Sequence, residues 1–363
     1  MTNVNSIKTY REQKGLSQDQ LGESLGVTRQ TIAAWEKGER TISLVQLSKI
    51  AKTLGIALEL LIGSTEEPAT SAPAPGMGLM FRADQPSMLT PTLRAHLTQK
   101  SVDYSTVEQI VGEVPTLPEM RPLTGYNEDV VEEVAKEIRD WLGVGETYPL
   151  GDVLALLEAK GLKIILHPLP ETISGFSAYT DTAGAVIFVN ANHPTERQFF
   201  TALHELGHLI FHRQEYHQAH NQTRKNDPRE KAANHLAGAI LLSRDIIHRE
   251  LRAYRNRWIP EPLLADIKRR YGVSLMTILY RTGQLGLITK KQQGQQIGIL
   301  KKKYGVHEKP KLPTPEHLTR LERLVFLALL REELTTSRAA EVLDRHLMDI
   351  RQQLANWMEE NGD

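Results

Sequence analysis

The sequence predicts a mainly α chain with a small antiparallel β-sheet: an N-terminal helix-turn-helix bundle, an α+β domain, and a C-terminal helical region. Three observations predict it. Two short amphipathic segments meet at Gly26-Val27-Thr28 near the N-terminus. Three β-rich stretches, 162–167, 174–179 and 185–190, cluster between helical segments. An apolar-periodic run over 199–211 follows at once and carries His204-Glu205-Leu206-Gly207-His208.

The bulk properties set limits on function. A chain of 363 residues is long enough for two or three domains. Its net charge of +0 provides no global field for nucleic acid, so any basic patch must be local. The absence of cysteine excludes disulfides, Cys-ligated zinc and a Cys nucleophile, and fits a reducing cytosol. The N-terminus lacks the basic-then-apolar pattern of a signal peptide. No apolar run approaches the roughly 20 residues that span a bilayer. The expected setting is cytoplasmic, with no membrane partner.

The first expected domain covers residues 1–63. Ser17 caps a helix, Asp19 favours its positive end, and Leu21 and Leu25 face inward. Gly26 stops that helix, because glycine enters the left-handed conformation cheaply. Thr28 caps the next, which runs from Arg29 to about Lys37 with Ile32 and Trp35 toward the core, and Gly38 ends it. Ser43 opens another, with Leu44, Leu47, Ile50, Ala51 and Leu54 at helical spacing. Two helices joined by so short a turn make a helix-turn-helix. The run from Ser17 to Ile32, followed by Trp35-Glu36-Lys37-Gly38, resembles the Xre-type helix-turn-helix domain of phage-like repressors. The resemblance implies a double-stranded DNA operator, read in the major groove by the exposed Arg29 and Gln30. It implies that Gln18 meets backbone phosphate or supports the base contacts, with Thr28 and Lys37 as weaker phosphate contacts. It also implies a homodimer acting on two half-sites. The other reading is a helix-turn-helix used for protein contact alone.

Residues 64–125 read as a linker and a connecting helix. Pro, Gly and small residues dominate 64–80. Leu93, Leu97, Tyr104, Val107 and Val111 mark a helix that Pro115, Pro118 and Pro122 then break.

The next expected domain covers 126–288. Asn127 opens an amphipathic helix that Gly143 closes, and 152–160 form a second. Residues 162–167 favour a strand by β-branched content, though they alternate too weakly to fix a face. Residues 174–179 and 185–190 bracket a hairpin turn. Then comes the H-E-x-x-H helix, capped near Thr195. In a helix, His204 and His208 project from one face a turn apart and can reach one Zn²⁺. Glu205 is then placed to take a proton from a water that the metal activates. This order of helices, small sheet and motif helix is that of a zincin-like α+β metallopeptidase domain.

A catalytic zinc takes three protein ligands. His212 shares the face of His204, but eight residues of helix separate them by about 12 Å. Ligands of one zinc lie about 3–4 Å apart, so His212 either supports the site from outside the ligand set or lies at the surface. Glu230, on the face of Asn234 and Ala237 in a helix opened by Pro228, completes a His₂Glu set if Ala233 and Ala237 let that helix approach Gly207. It can equally be an ordinary first-turn acid. Tyr179, Tyr216 and His217 are candidate donors to an oxyanion. An exposed edge of the 174–190 hairpin could pair with substrate.

The run 189–208, followed by Glu230-Lys-Ala-Ala-Asn234-His-Leu-Ala237, resembles the ImmA/IrrE-type metallopeptidase family. That resemblance extends through 271–288. It implies zinc on His204, His208 and Glu230, Glu205 as catalytic base, and a protein substrate such as a repressor or antitoxin-like partner. Leu242-Ser243 departs from the Met-Pro common in that family. The alternative is a non-proteolytic transcription factor or antitoxin whose metallopeptidase-like domain senses an effector or binds a partner.

Residues 289–363 form the C-terminal region. Its first part is polar and basic through Lys301-Lys302-Lys303. Apolar periodicity then marks helices over 316–330, 334–343 and onward to Trp357. The pattern resembles a degenerate second helix-turn-helix bundle. With no basic cluster at its exposed helix start, it is expected to pack or dimerise rather than read DNA.

Overall fold

The structure is a computed structural model that describes residues 7–8, 10–11, 14, 16–37, 40, 42, 44–54, 80–82, 90–113, 117–180, 184–217, 227–305, 307–315 and 318–360. The linker over 64–79, Gly38, Ser43, Pro115, the turn 181–183, Glu316 and the side chain of His217 lie outside them. The chain forms two compact units, Met1–Ala74 and Pro75–Asp363.

In the first unit, helices α1 (Gln18–Leu25), α2 (Arg29–Lys37) and α3 (Leu44–Leu54) close on a core of Ile7, Leu21, Ile32, Trp35, Ile42, Leu47, Ile50 and Leu54. Ser17 and Gln20 make a reciprocal capping box at the start of α1. Gly26 ends α1 at φ 68°. Gly22 is a glycine for a second reason. A Cβ there would lie 2.7 Å from Val27 O, where the turn folds back on α1.

The second unit opens with the short strand β1 (Met80–Arg82) and the long helix α4 (Pro91–Val111). Helices α5 (Glu128–Leu142) and α6 (Val153–Ala159) follow, capped by Asn127 and Asp152. Strands β2 (Lys163–His167), β3 (Gly175–Thr180) and β4 (Gly184–Asn190) come next. Then come α7 (Thr195–Phe211), a 3₁₀ turn Arg213–His217, and α8 (Pro228–Leu241). Helices α9 (Arg244–Leu251), α10 (Glu261–Tyr271), α11 (Leu275–Gln284) and α12 (Lys290–Tyr304) complete one layer. Helices α13 (Arg320–Leu330), α14 (Thr336–Leu343) and α15 (Leu347–Glu360) end the chain.

The sheet runs β1-β3-β4-β2 and is mixed rather than wholly antiparallel. β3 pairs antiparallel with β1 and β4, but β2 pairs parallel with β4, in register Ile164 to Ile187. A second correction follows from this order. Of the two edges of the 174–190 hairpin, β1 takes one along Ser177, Ala178 and Tyr179, and β2 takes the other.

Both faces of the sheet are covered. Ile164, Ala185, Ile187 and Val189 pack under α5 to α12. Ile165, Phe176, Ala178, Val186 and Phe188 pack against α4, α13, α14 and α15. β4 is buried over 185–190 and is apolar on both faces, whereas β2 buries Lys163, Ile164 and Ile165 and leaves Leu166 exposed, so 162–167 show no clean alternation. The C-terminal helices therefore have a packing role, closing the second face of the sheet together with α4. Buried ions tie the layers. Glu108 of α4 takes Lys163 Nζ at 2.7 Å and also pairs with Arg320 of α13. Among the described residues no helix is long and apolar enough to cross a membrane.

Candidate functional site

Helix α7 holds His204 and His208 on one face, and α8 crosses it closely. A Cβ on Gly207 would meet Ala233 Cα at 3.1 Å, so glycine at 207 lets the two backbones approach. That approach brings Glu230 to the histidines. His204 Nε2 and His208 Nε2 lie 3.0 Å apart, with Glu230 Oε2 3.2 Å from the first and Oε1 3.3 Å from the second. Among the described residues this is the cluster of three ligand groups that could hold a metal ion. Bonds of about 2.0–2.1 Å to one tetrahedral zinc place ligand atoms about 3.3 Å apart, so the donor set fits that ion in kind and spacing. Burial alone would raise the Glu230 carboxyl, but the hydrogen bonds and charges of both imidazoles hold it far below the usual carboxylate range.

The outer nitrogens are also held. His204 Nδ1 is 3.1 Å from Asn234 Oδ1, and His208 Nδ1 is 3.2 Å from His212 Nδ1. An amide oxygen accepts only, so Asn234 fixes the His204 proton on Nδ1 and leaves Nε2 as a lone-pair donor. His212 is buried and acts behind His208, the first of the two places its helix position allowed.

Glu205 points to the other side of His204, toward the sheet. Ser177 Oγ donates to Glu205 Oε2 at 2.5 Å and stands 2.6 Å from the Tyr216 hydroxyl. Sequence reading missed Ser177. The signal lay in strand alternation: Phe176 and Ala178 face the second core, so Ser177 faces α7. Tyr216 is fully buried, its hydroxyl on Ser177, while Tyr179 carries the Arg213 guanidinium over its ring at 5.5 Å. A cavity of about 1340 Å³ opens beside Glu230, Asn234 and Phe200 and reaches Met276 and Tyr280.

The back of α8 is anchored as firmly. His235 bonds Glu132 Oε1 at 2.8 Å and Tyr126 Oη at 2.9 Å, and Arg281 Nη2 donates to Glu132 Oε2 at 2.8 Å. These charges and hydrogen bonds overcome burial, which alone would raise Glu132, and bring it down to about 2.

In the first unit, Arg29 and Gln30 are exposed at the start of α2. Arg29 has a loose, exposed carboxylate neighbour, Asp19 at 3.9 Å, an interaction of little strength. Thr28 caps the helix, its Oγ1 accepting Thr31 N–H at 3.3 Å. Gln18 turns inward. Its amide donates to Glu36 Oε2 at 2.8 Å, beside the buried Arg11–Glu36 pair. That bond ties the start of α1 to α2.

A two-helix reading head in one unit and a His₂Glu cluster in the other define the class: a DNA-binding regulator with a metallopeptidase-like domain. Comparison with known proteins agrees. Residues 7–61 match the helix-turn-helix family, and residues 157–282 match the IrrE N-terminal-like domain. An uncharacterised HTH-type transcriptional regulator of Bacillus subtilis, YgzD, is 44% identical over 63 residues, which are 17% of this chain and 96% of that protein. A similar regulator of Methanocaldococcus jannaschii is 47% identical over 55 residues, covering 15% and 83%. A Mycobacterium tuberculosis transcriptional regulator of solved structure aligns with TM-score 0.32 and 18% identity over half of each chain. The chain belongs to the HTH-type transcriptional regulators, with an IrrE N-terminal-like domain following its DNA-binding unit.

Proposed function

We propose that this regulator is also a zinc-dependent endopeptidase, acting on a specific protein such as a repressor or antitoxin-like partner. The observation that carries the reading is the convergence of His204, His208 and Glu230 at 3.0–3.3 Å, with Glu205 next to His204 in the chain and a large cavity lined by Glu230. His204, His208 and Glu230 would hold the zinc, whose chemistry is to polarise the scissile carbonyl and lower the pKa of water. Glu205 takes a proton from the attacking water and delivers it to the leaving amine. Ser177 aims its carboxylate. Asn234 keeps the His204 imidazole in the tautomer whose Nε2 lone pair faces inward, and His212 backs His208.

Arg29 and Gln30 are the proposed base-reading residues on a double-stranded operator, with Thr28 on phosphate and Gln18 in support. A homodimer on two half-sites fits such a reading head. The domains proposed for these activities are residues 1–63 and 126–288.

The test uses the full chain, zinc-loaded, with the repressors encoded beside its gene. The wild type cuts a neighbour, and Glu205→Gln retains zinc but loses cutting. Equal cutting by the mutant overturns the role of Glu205. Stoichiometric zinc with no cutting, with and without DNA, leaves the non-proteolytic regulator as the better reading.

A further inference from the structure

The groove beside the metal cluster contains a cation that the reading above leaves unused. Arg197 stands on α7 seven residues before His204 and eleven before His208, close to two and three whole turns. All three therefore share a face. Arg197 lines the cavity of about 1340 Å³ that also touches Phe200, Glu230 and Asn234. It also lines a smaller cavity of about 260 Å³ beyond, beside Glu171 and His193.

Its guanidinium is poorly satisfied for so enclosed a charge. Nη2 donates to the neutral Ser174 Oγ at 2.8 Å, and among the described residues it joins no ion pair. Burial lowers its pKa, and the nearby charge of Glu171 offsets that only in part. Of the acids that share its cavity, Glu128 is exposed at the start of α5 and Asp227 pairs with Arg229. Glu196 and Glu308 both pair with the buried Lys268, and Glu230 with the two histidines. A half-desolvated arginine with most of its donors unused is suited to a planar carboxylate.

We propose that Arg197 is a specificity-determining residue that binds a carboxylate of the substrate peptide; this rests on the peptidase reading. Seven helical residues separate Arg197 from His204 by about 10 Å. An extended peptide covers that distance in about three residues. The substrate therefore carries its carboxylate two to four residues from the scissile bond, on one side, with Phe200 beneath the residues between.

The zinc-loaded full chain is given a proteome-derived peptide library, and the cut sites are read by mass spectrometry. Asp and Glu are enriched at a position two to four residues from the cut, on one side. For a matched Glu/Gln peptide pair the kcat/KM ratio is about 10–100, the value of a charge-assisted hydrogen bond. Arg197→Gln brings that ratio near one, and Arg197→Glu inverts the preference toward Lys. Ser174→Ala, which removes the bond within the chain, keeps the ratio and so separates carboxylate binding from wall structure. Cutting two to four residues from free C-termini, lost on amidation, identifies the carboxylate as terminal and supports the same assignment. Cutting without charge preference, or a preference that Arg197→Glu leaves unchanged, overturns it. A chain that cuts nothing fails the peptidase reading separately. Peptides captured from the library by Glu205→Gln then decide this one, and capture without acidic enrichment overturns it.

Discussion

Ser177 holds Glu205: its hydroxyl donates to Oε2 at 2.5 Å from the strand beneath α7. Ser177 Oγ also meets the Tyr216 hydroxyl at 2.6 Å, so a buried relay leads from the 3₁₀ turn through β3 to the carboxylate. A general base works only within a narrow range of positions, and a short bond to a rigid strand sets that range. Ser177→Ala is expected to lower kcat about 10–100-fold with KM little changed and zinc content intact. It should also destabilise the unit by about 1–3 kcal/mol, because the Tyr216 hydroxyl loses a buried partner. Single-turnover kinetics with metal analysis check this. An unchanged kcat removes Ser177 from the positioning of Glu205.

Asn234 lies one turn beyond Glu230 on α8 and receives His204 Nδ1 at 3.1 Å. Without it, His204 can adopt the other tautomer and rotate. Asn234→Ala is expected to weaken zinc binding about 10–100-fold, the usual effect of losing such an outer hydrogen bond. Competition against a chromogenic chelator measures it, and wild-type affinity in the mutant contradicts the assignment. His212→Leu is the parallel case for His208.

In the first unit, Arg29 projects from α2 while Gln18 is turned inward onto Glu36. The two should therefore fail differently. Arg29→Ala removes sequence preference with the fold intact, a loss of about 1–3 kcal/mol at the bases it reads. Gln18→Ala loosens the seat of α2 and weakens binding to all sequences more evenly. Gel shifts on operator and scrambled DNA distinguish them. Equal operator affinity in wild type and Arg29→Ala contradicts the reading role.

Local rules carried much of this into the sequence. Ser17, Gly26, Asn127, Gly143 and Asp152 mark helix ends that short-range chemistry determines, and all five act there. Helix rise alone separated His212 from the ligand set. What stayed hidden depends on tertiary pairing. Alternation puts Ser177 on the face opposite Phe176 and Ala178, but that this face meets α7 needs the sheet order. The parallel β2–β4 pairing was hidden for the same reason, since β4, buried on both faces, shows no alternation. β1 was unreadable because three residues at the end of a Pro- and Gly-rich stretch carry no periodic signal.

Glu158 of α6 offers a test of how the layers are joined. Its Oε2 accepts the backbone N–H of Arg320 at 3.1 Å, so it lies at the junction of α6 and α13. Burial pushes its carboxyl from 4.5 up to about 7, with the Arg320 hydrogen bond and charge opposing only in part. Between those two values the folded chain binds a proton that the unfolded chain has released. Stability therefore falls as pH rises from about 4.5 through about 7, and the full loss remains above it. Glu158→Gln keeps an acceptor for the Arg320 N–H and carries no charge. It should match the wild type at pH 4.5 and exceed it by about 2–3 kcal/mol at pH 8. Urea unfolding of the full chain at both pH values, followed on the transition of the second unit, makes the comparison. A mutant equal to or weaker than the wild type at pH 8 would mean that Glu158 is held as a carboxylate after all, through its ties to α13.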